Sequence, residues 1–239
     1  MKVSIIGYGT VGRALENLLK DHYQVEIGTP NADVIFVSLP TPEGKDGKCD
    51  ISLIEKAIND IEAELIVIKS TVEPGTTDRL IKKTGKNIVF SPEYVGESKY
   101  FNPYFSHKMV ETPFVIAGGK PELCNKLFDL LTPILGPTKQ YYKTTALNAE
   151  IVKYMENCFF ATKVAFVNEF KEICEHLGAD WHDVRHGWLL DPRINPMHTS
   201  VINKGFGGKC YPKDLRAIIK LVDKLDIPVL RSVKKWINE

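Results

Sequence analysis

Three glycines close to the N-terminus restrict the fold of this chain more than any other feature. Gly7, Gly9 and Gly12 lie between residues 2–6, which read as a buried strand, and residues 11–19, whose apolar positions recur at helical spacing. A strand, a glycine turn and a helix in this order are typical of a dinucleotide-binding fold. The glycines allow a tight turn and a close approach of the pyrophosphate, while the helix N-terminus stabilises its charge. The alternative is a packing turn without a ligand.

The second predicted strand, residues 23–27, is not followed by the acidic residue that usually binds the ribose hydroxyls. The chain continues instead with Gly-Thr-Pro-Asn at residues 28–31, so we expect Thr29 or Asn31 to contact the ribose. No arginine is placed to bind a 2′-phosphate, which favours NAD over NADP as the cofactor. The loop to the next strand leaves little room for an intervening helix.

Short apolar runs separated by helical stretches fill the first half of the chain. This alternation predicts an α/β fold with a Rossmann-like, doubly wound parallel sheet. The apolar runs after the first strand are residues 23–27, 34–39, 65–69, 87–90 and 113–117.

The second half of the chain has a helical pattern. From about Thr145 to Leu177 apolar residues repeat at intervals of three and four, which predicts one long helix, and helical segments dominate thereafter. Glycine and proline interrupt the chain at residues 135–138. We therefore place a domain boundary near residue 143, between an NAD-binding domain (1–143) and an all-helical domain (144–239).

Composition excludes several classes of function. The chain is 44% hydrophobic and 26% charged with a net charge of +1, so it has no basic excess for nucleic acid or a membrane surface. Five cysteines without CxxC spacing support neither a disulfide framework nor a zinc site, and we predict no metal site. The N-terminus begins directly with a strand rather than a leader, so we expect a soluble protein of the reducing cytosol.

Cys210 lies on a glycine-rich loop, residues 205–214, directly before a predicted helix with Pro212 at its start. The unpaired N–H groups and dipole of such a helix favour a thiolate, and Lys213 adds a positive charge nearby. These features predict a nucleophilic cysteine. The alternative is a connector with a buried structural cysteine.

Lys153 and Asn157 lie four residues apart on the predicted long helix and therefore share a face. An ammonium and an amide in this arrangement could stabilise an alkoxide or an oxyanion. The alternative is a solvated lysine beside a surface amide.

Six sets of residues follow one another along the chain. They are Leu39-Pro40-Thr41-Pro42, Ser70-Thr71-Val72 with Gly75-Thr76-Thr77, Ser91-Pro92-Glu93, Lys153 with Asn157, Asp191-Pro192-Arg193-Ile194, and residues 205–214. Together these segments resemble the UDP-glucose/GDP-mannose dehydrogenase family over almost the whole chain. The resemblance implies that a nucleotide-sugar alcohol, most naturally that of a UDP-sugar, is oxidised to a carboxylate in two NAD-dependent hydride transfers. Cys210 would hold the intermediate first as a thiohemiacetal and then as a thioester.

The resemblance also implies roles for individual residues. Asp214 would act with Lys153 and an ordered water in proton abstraction, and Glu93 would assist thioester hydrolysis. Thr71 would bind the nicotinamide side or a water. The implied cofactor contacts are Gly7, Gly9, Thr10, Val11, Gly12, Thr29, Pro40, Thr41, Thr71 and Lys213, and the implied substrate contacts are Glu93, Lys153, Asn157, Arg193 and Gly207.

The same resemblance implies a homodimer through the long helix of a central, dimerisation domain, with Arg193 reaching the sugar across the interface. Relatives carry a third, C-terminal domain that closes over the nucleotide, whereas this chain ends at Glu239. The loop between Arg193 and Gly205 also departs from the family sequence. We therefore expect a separate partner that completes the cleft, a smaller substrate, or reduced activity.

Two other interpretations remain open from the sequence. One is a hydroxyacid dehydrogenase that transfers a single hydride and does not use Cys210. The other is a non-catalytic dimeric NAD-binding module.

Overall fold

Seven strands form one sheet within the residues that the structure, a computed structural model, describes: 1–95, 108–201, 203–208 and 210–238. The strand order is β2-β1-β3-β4-β5-β6-β7. Strands β1 to β5 are parallel, β6 is antiparallel to β5, and β7 is parallel to β6. The strands are β1 (Lys2–Ile6), β2 (Gln24–Ile27), β3 (Val34–Val37), β4 (Leu65–Ile68), β5 (Ile88–Phe90), β6 (Phe114–Gly118) and β7 (Gln140–Thr144).

The predicted α/β fold class is confirmed, and each apolar run noted in the sequence overlaps a strand. Strands β3, β4 and β5 are buried along their whole length, which explains their continuous aliphatic sequences. Strand β7 was not predicted, because Gln140–Thr144 is a half-exposed edge strand with polar residues. The antiparallel direction of β6 has no signal in the sequence.

Helices cover both faces of the sheet. They are α1 (Thr10–Leu19), α2 (Ser52–Asp60), α3 (Thr76–Thr84) and α4 (Pro121–Leu135). Leucines of α1 and α4 pack on one face around Phe36, whereas Ile54, Ile58 and Leu80 of α2 and α3 pack on the other around Ile66. Only a short loop joins β2 to β3, as the sequence indicated.

Helix α5 (Ala146–Leu177) has 32 residues and confirms the predicted long helix. The chain divides into two compact units within this helix. Unit 1 contains residues 1–95 and 108–153, and unit 2 contains residues 154–238, with the gaps noted above. The domain boundary near residue 143 stays a prediction.

Unit 2 is helical. Besides the rest of α5 it contains α6 (Trp181–Trp188), α7 (Tyr211–Leu221) and α8 (Pro228–Val233). Ala161 and Ala165 of α5 pack against Leu215 of α7 and Val233 of α8 in a small core. None of the helices in the described ranges combines the length and the apolar character that a membrane span requires.

A buried carboxylate joins α5 to α3 within unit 1. Glu150 is 0% exposed, and its two oxygens accept the backbone N–H groups of Gly75 at 2.6 Å and Thr77 at 2.8 Å. Gly75 is the N-cap of α3, so Glu150 satisfies helix N–H groups that have no partner within the helix. Desolvation raises the pKa of Glu150, while the hydrogen bonds from Thr77 and Gly75 oppose this shift.

We predict that Glu150→Ala lowers the free energy of unfolding by about 2 kcal/mol or more, because it removes the acceptor of the buried Thr77 N–H and of the part-buried Gly75 N–H. Glu150→Gln keeps one acceptor oxygen and should lose less. Urea unfolding of the whole chain measures both, with Glu175→Ala, an exposed position on the same helix, as the control. Equal stability of Glu150→Ala and wild type would contradict this role.

Candidate functional sites in the two units

The turn after β1 requires glycine at two positions. Gly7 has a φ of +99°, and a Cβ there would lie 2.4 Å from the carbonyl oxygen of Ser38. A Cβ on Gly12 would lie 2.1 Å from the carbonyl oxygen of Gly7. Both distances are too short for a real side chain, so α1 packs against the turn only because these residues are glycines. Packing alone therefore accounts for Gly7 and Gly12.

Gly9 is different, because the fold does not require glycine there. It is the N-cap of α1 in extended conformation, φ −82° and ψ −153°, and a Cβ would meet nothing within 4 Å. A side chain would instead occupy the space in front of Thr10 and Val11, whose N–H groups begin the helix. Glycine at this position leaves a cradle for a phosphate, and the turn fits a dinucleotide.

The strand order reverses at β1, which has β2 on one side and β3 on the other. In sheets of this type ligands bind at the carboxyl ends of the strands beside such a point. Ser38 follows β3 there and donates its hydroxyl to the carbonyl oxygen of Gly7 at 2.7 Å. Thr41 donates its hydroxyl to the carbonyl oxygen of Thr71 at 2.8 Å, and Pro40 is exposed. Pro40, Thr41 and Thr71 thus share one edge of the sheet with the glycine turn.

Thr29 lies at the end of β2, where its carbonyl oxygen accepts the hydroxyl of Ser4 at 2.6 Å. Its side chain hydrogen-bonds Glu26, a residue of β2 that also pairs with Lys2 at 3.1 Å. These hydrogen bonds, that from Lys2 first, lower the pKa of Glu26. The position of Thr29 is fixed, and its contact with a ribose stays a prediction.

Charged side chains meet at the ends of β4 and β5. Lys69 is half-buried, and its Nζ donates to the carbonyl oxygen of Pro92 at 3.0 Å and to the hydroxyl of Ser91 at 3.4 Å. Glu93 comes next in the chain, and its carboxylate accepts the backbone N–H of Val95. Hydrogen bonds before and after Glu93, at the Pro92 carbonyl and at the Val95 N–H, therefore fix the turn after β5.

Lys153 of α5 completes this strand-end cluster, which we define as Lys69, Glu93, Tyr94 and Lys153. Its Nζ lies 4.7 Å from the ring centroid of Tyr94, a cation–π distance. Burial lowers the pKa of Lys69 to about 8; Glu93 opposes this shift, and Lys153 adds to it. The structure thus brings the predicted residues Glu93 and Lys153 together. Sequence reasoning missed Lys69, although it lies directly before Ser70-Thr71.

Cys210 lies in unit 2 as the N-cap residue of α7. It is exposed, whereas the other four cysteines are buried. The helix that follows has eleven residues with Pro212 in its first turn, so its N-terminal N–H groups and dipole favour a thiolate at this position. The predicted loop, cysteine and helix are present in this order.

Asp214 connects two other predicted residues of unit 2. Its side chain is 1% exposed, and one oxygen accepts the amide of Asn157 at 2.6 Å. The other oxygen forms an ion pair with Lys213. Because a buried carboxylate is costly without partners, Asn157 and Lys213 together stabilise Asp214 in this position. The effects of Lys213 on Cys210 and on the cofactor stay predictions.

The thiol of Cys158 is buried, unlike that of Cys210. Burial raises its pKa to about 12, and the charge of Asp214 adds to this rise. Cys158 therefore stays protonated and unreactive at neutral pH. Cys210, by contrast, is exposed at a helix N-terminus, and this position suits a nucleophile.

An aromatic group lies beside Cys210. The hydroxyl of Tyr211 lies 3.2 Å from Nε2 of His198, whose ring packs 4.4 Å from that of Phe160. Burial, assisted by the charge of Lys163, lowers the pKa of His198 to about 4, so the imidazole is neutral. These contacts attach the loop after Arg193 to the start of α7.

Arg193 and Gly207 are on the surface of unit 2. The Arg193 side chain is 86% exposed and pairs with Asp191 through two nitrogens, at 2.6 Å and 3.0 Å. Gly207 is exposed on the cysteine loop. Their contacts with a sugar stay predictions.

Family models match most of the chain. Residues 13–131 match the NAD binding domain of the UDP-glucose/GDP-mannose dehydrogenase family, and residues 147–239 match its central domain. The first match begins just after the glycine turn, so the turn adds independent support from geometry. The cofactor of this chain is NAD.

Known proteins agree with the family match. The chain is 32% identical over 217 residues to a UDP-glucose 6-dehydrogenase of Rickettsia prowazekii, which covers 86% of this chain and 49% of that protein. It is similarly 32% identical over 228 residues to UDP-glucose 6-dehydrogenase YwqF of Bacillus subtilis, covering 89% and 50%. The chain thus spans about half the length of these relatives.

A solved structure supports the fold. The UDP-glucose dehydrogenase of Pyrobaculum islandicum superposes with a TM-score of 0.80 at 23% identity, covering 98% of this chain and 68% of that one. At this identity the likeness concerns the fold alone.

We predict that Gly9→Ala and Gly12→Ala separate ligand binding from folding. Gly9→Ala should leave the free energy of unfolding within about 0.5 kcal/mol of wild type and weaken NAD binding at least about tenfold. Gly12→Ala should destabilise the protein by about 1–3 kcal/mol through overpacking. Thermal unfolding and calorimetric titration with NAD measure the two effects. Wild-type NAD affinity in Gly9→Ala would show that the cradle holds no phosphate.

Proposed function

We propose an activity from the premise that this chain belongs to the UDP-glucose/GDP-mannose dehydrogenase family, whose domain models match residues 13–131 and 147–239. The activity is an NAD-dependent oxidation of the primary alcohol of a nucleotide sugar to a carboxylate. The names of the relatives favour a UDP-sugar, with UDP-glucose first. The observation that carries the proposal is the exposed Cys210 at the N-terminus of α7.

The first oxidation converts the alcohol to an aldehyde, and the alcohol loses one hydride and one proton. NAD, when bound, supplies the acceptor for the hydride. Asp214, with Lys153 and an ordered water, takes the proton from the hydroxyl, and the amide of Asn157 stabilises the alkoxide. The hydrogen bond from Asn157 to Asp214 at 2.6 Å supports this assignment, since it fixes both side chains of unit 2. Thr71 holds the nicotinamide side or a water.

The second oxidation uses the thiol. The sulfur of Cys210 adds to the aldehyde carbon, and the carbonyl oxygen gains a proton, which gives a thiohemiacetal. Loss of a second hydride, for which a second NAD would be the acceptor, and of the hydroxyl proton gives a thioester. Water then attacks the thioester carbon with Glu93 as the base, the carbon–sulfur bond breaks, and the sugar carboxylate and the thiol are released. Each sugar thus yields two NADH.

A homodimer through α5 accompanies this activity in our proposal. The part of α5 in unit 2 exposes a row of large apolar side chains, including Phe159 at 59%, Phe166 at 45% and Phe170 at 42%. Contiguous apolar surface of this kind is typical of protein interfaces. Arg193 would then reach the sugar from the second copy. In the same proposal a separate partner completes the nucleotide side of the cleft. We place the protein in the cytosol.

We predict two NADH and one uronic acid per sugar when the chain is supplied with NAD and its nucleotide sugar, and less than about one hundredth of this acid production in Cys210→Ser. Absorbance at the NADH band and identification of the acid measure this across UDP- and GDP-sugars. Cys174→Ala, a buried cysteine of unit 2, is the control. Acid formation by Cys210→Ser at the wild-type rate would rule out the covalent route.

The same panel separates the other interpretations. One NADH per substrate, independent of Cys210, would indicate a hydroxyacid dehydrogenase. NAD binding without turnover of any nucleotide sugar would indicate a non-catalytic module.

We predict that Phe166→Glu shifts the protein from dimer to monomer, because a buried unpaired charge at the centre of an interface costs several kcal/mol. Sedimentation velocity measures the shift. Val229→Glu, which changes an apolar residue on α8 that is more exposed than Phe166 (61% against 45%), should leave the dimer intact. A Phe166→Glu protein with unchanged mass in solution would place the interface elsewhere.

A further inference from the structure

We propose that Lys69 is a positioning residue for Glu93, holding the turn after β5 so that this carboxylate can act as the base in thioester hydrolysis. The inference rests on the function proposed above. No role for Lys69 follows from the family motifs, which supplied Thr71, Glu93 and Lys153. The structure adds the lysine to them.

The geometry fixes the peptide that precedes Glu93. The ammonium of Lys69 donates to the carbonyl oxygen of Pro92 at 3.0 Å, and this carbonyl belongs to the peptide bond between Pro92 and Glu93. On the other side, the Glu93 carboxylate accepts the N–H of Val95. A hydrogen bond from a charged donor is about twice as strong as a neutral one. Removing the ammonium therefore frees one side of the turn and leaves the carboxylate less well oriented.

Charge supports the same assignment. Glu93 opposes, and Lys153 adds to, the lowering of the Lys69 pKa to about 8 that burial causes. Lys69, at the end of β4, therefore lies within electrostatic reach of both Glu93 and Lys153 of α5. The two lysines contact different parts of the turn: Lys153 lies over the ring of Tyr94, whereas Lys69 donates to the peptide carbonyl that directly precedes Glu93.

The pKa of about 8 gives the role a pH dependence. Below pH 8 the ammonium is charged in the folded protein, and it loses its proton as the pH rises through this value. Arginine at position 69 stays charged over the same range. The hydrolysis rate of wild type relative to Lys69→Arg should therefore fall between pH 7 and pH 9.

The test is a single-turnover experiment on the whole chain with NAD and the nucleotide sugar that it oxidises. Lys69→Met should slow hydrolysis at least about tenfold and accumulate thioester on Cys210, seen by intact mass after acid quench, while both hydride transfers stay within about twofold. Lys69→Arg should restore most of the hydrolysis rate. Lys82→Met, an exposed lysine of α3, is the control.

A second measurement needs no turnover. In protein labelled with 13C at lysine Cε, Glu93→Gln should lower the NMR titration midpoint of Lys69 and leave that of Lys82 unchanged, because it removes the carboxylate that raises the Lys69 pKa.

The outcomes are distinct. Equal slowing of all steps in Lys69→Met would overturn the inference. An unchanged titration midpoint of Lys69 in Glu93→Gln would overturn it too. A wild-type protein without turnover would remove the proposed function and the hydrolytic role with it, whereas the NMR titration would still show whether Lys69 and Glu93 are paired.

Discussion

Burial of short parallel strands is the constraint on which unit 1 depends. Strands β3, β4 and β5 are covered on both faces, so the chain can leave the sheet only at their ends. Their carboxyl ends meet at one edge, and the residues that follow them, including Thr41, Thr71 and Glu93, are brought there from distant parts of the sequence. The cradle at Gly9 and the strand-end cluster are consequences of this packing.

The sequence predicted much of this, because apolar runs and glycine spacing are local signals. The sequence predicted the long helix α5 at its observed position. It also predicted the loop that carries Cys210 and the helix that follows it. The features that the sequence did not predict depend on tertiary structure. The antiparallel β6, the Glu150 carboxylate on the N-terminus of α3, and the contact of Lys69 with Pro92 each join residues far apart in the chain.

Site residues show the same limit. The resemblance grouped Asp214 with Lys153, which stays a prediction, and the structure adds hydrogen bonds to Asp214 from Asn157 and Lys213. The motif of Gly7, Gly9 and Gly12 predicted a tight turn and a close approach of a pyrophosphate, and the structure adds that packing demands glycine at the first and third positions but not at the second. The sequence also could not show that Cys158 is buried, which raises the pKa of its thiol, while Cys210 is exposed.

The proposed role of Cys210 is to carry the substrate during the second oxidation. Its most direct test is peptide mapping by mass spectrometry of wild-type protein quenched in acid during turnover of a nucleotide sugar with NAD. We expect an acyl adduct of the sugar on the peptide that contains Cys210, and hydroxylamine should release it. Acid formation with two NADH per sugar, but with the adduct on another residue or with none at any quench time, would contradict it.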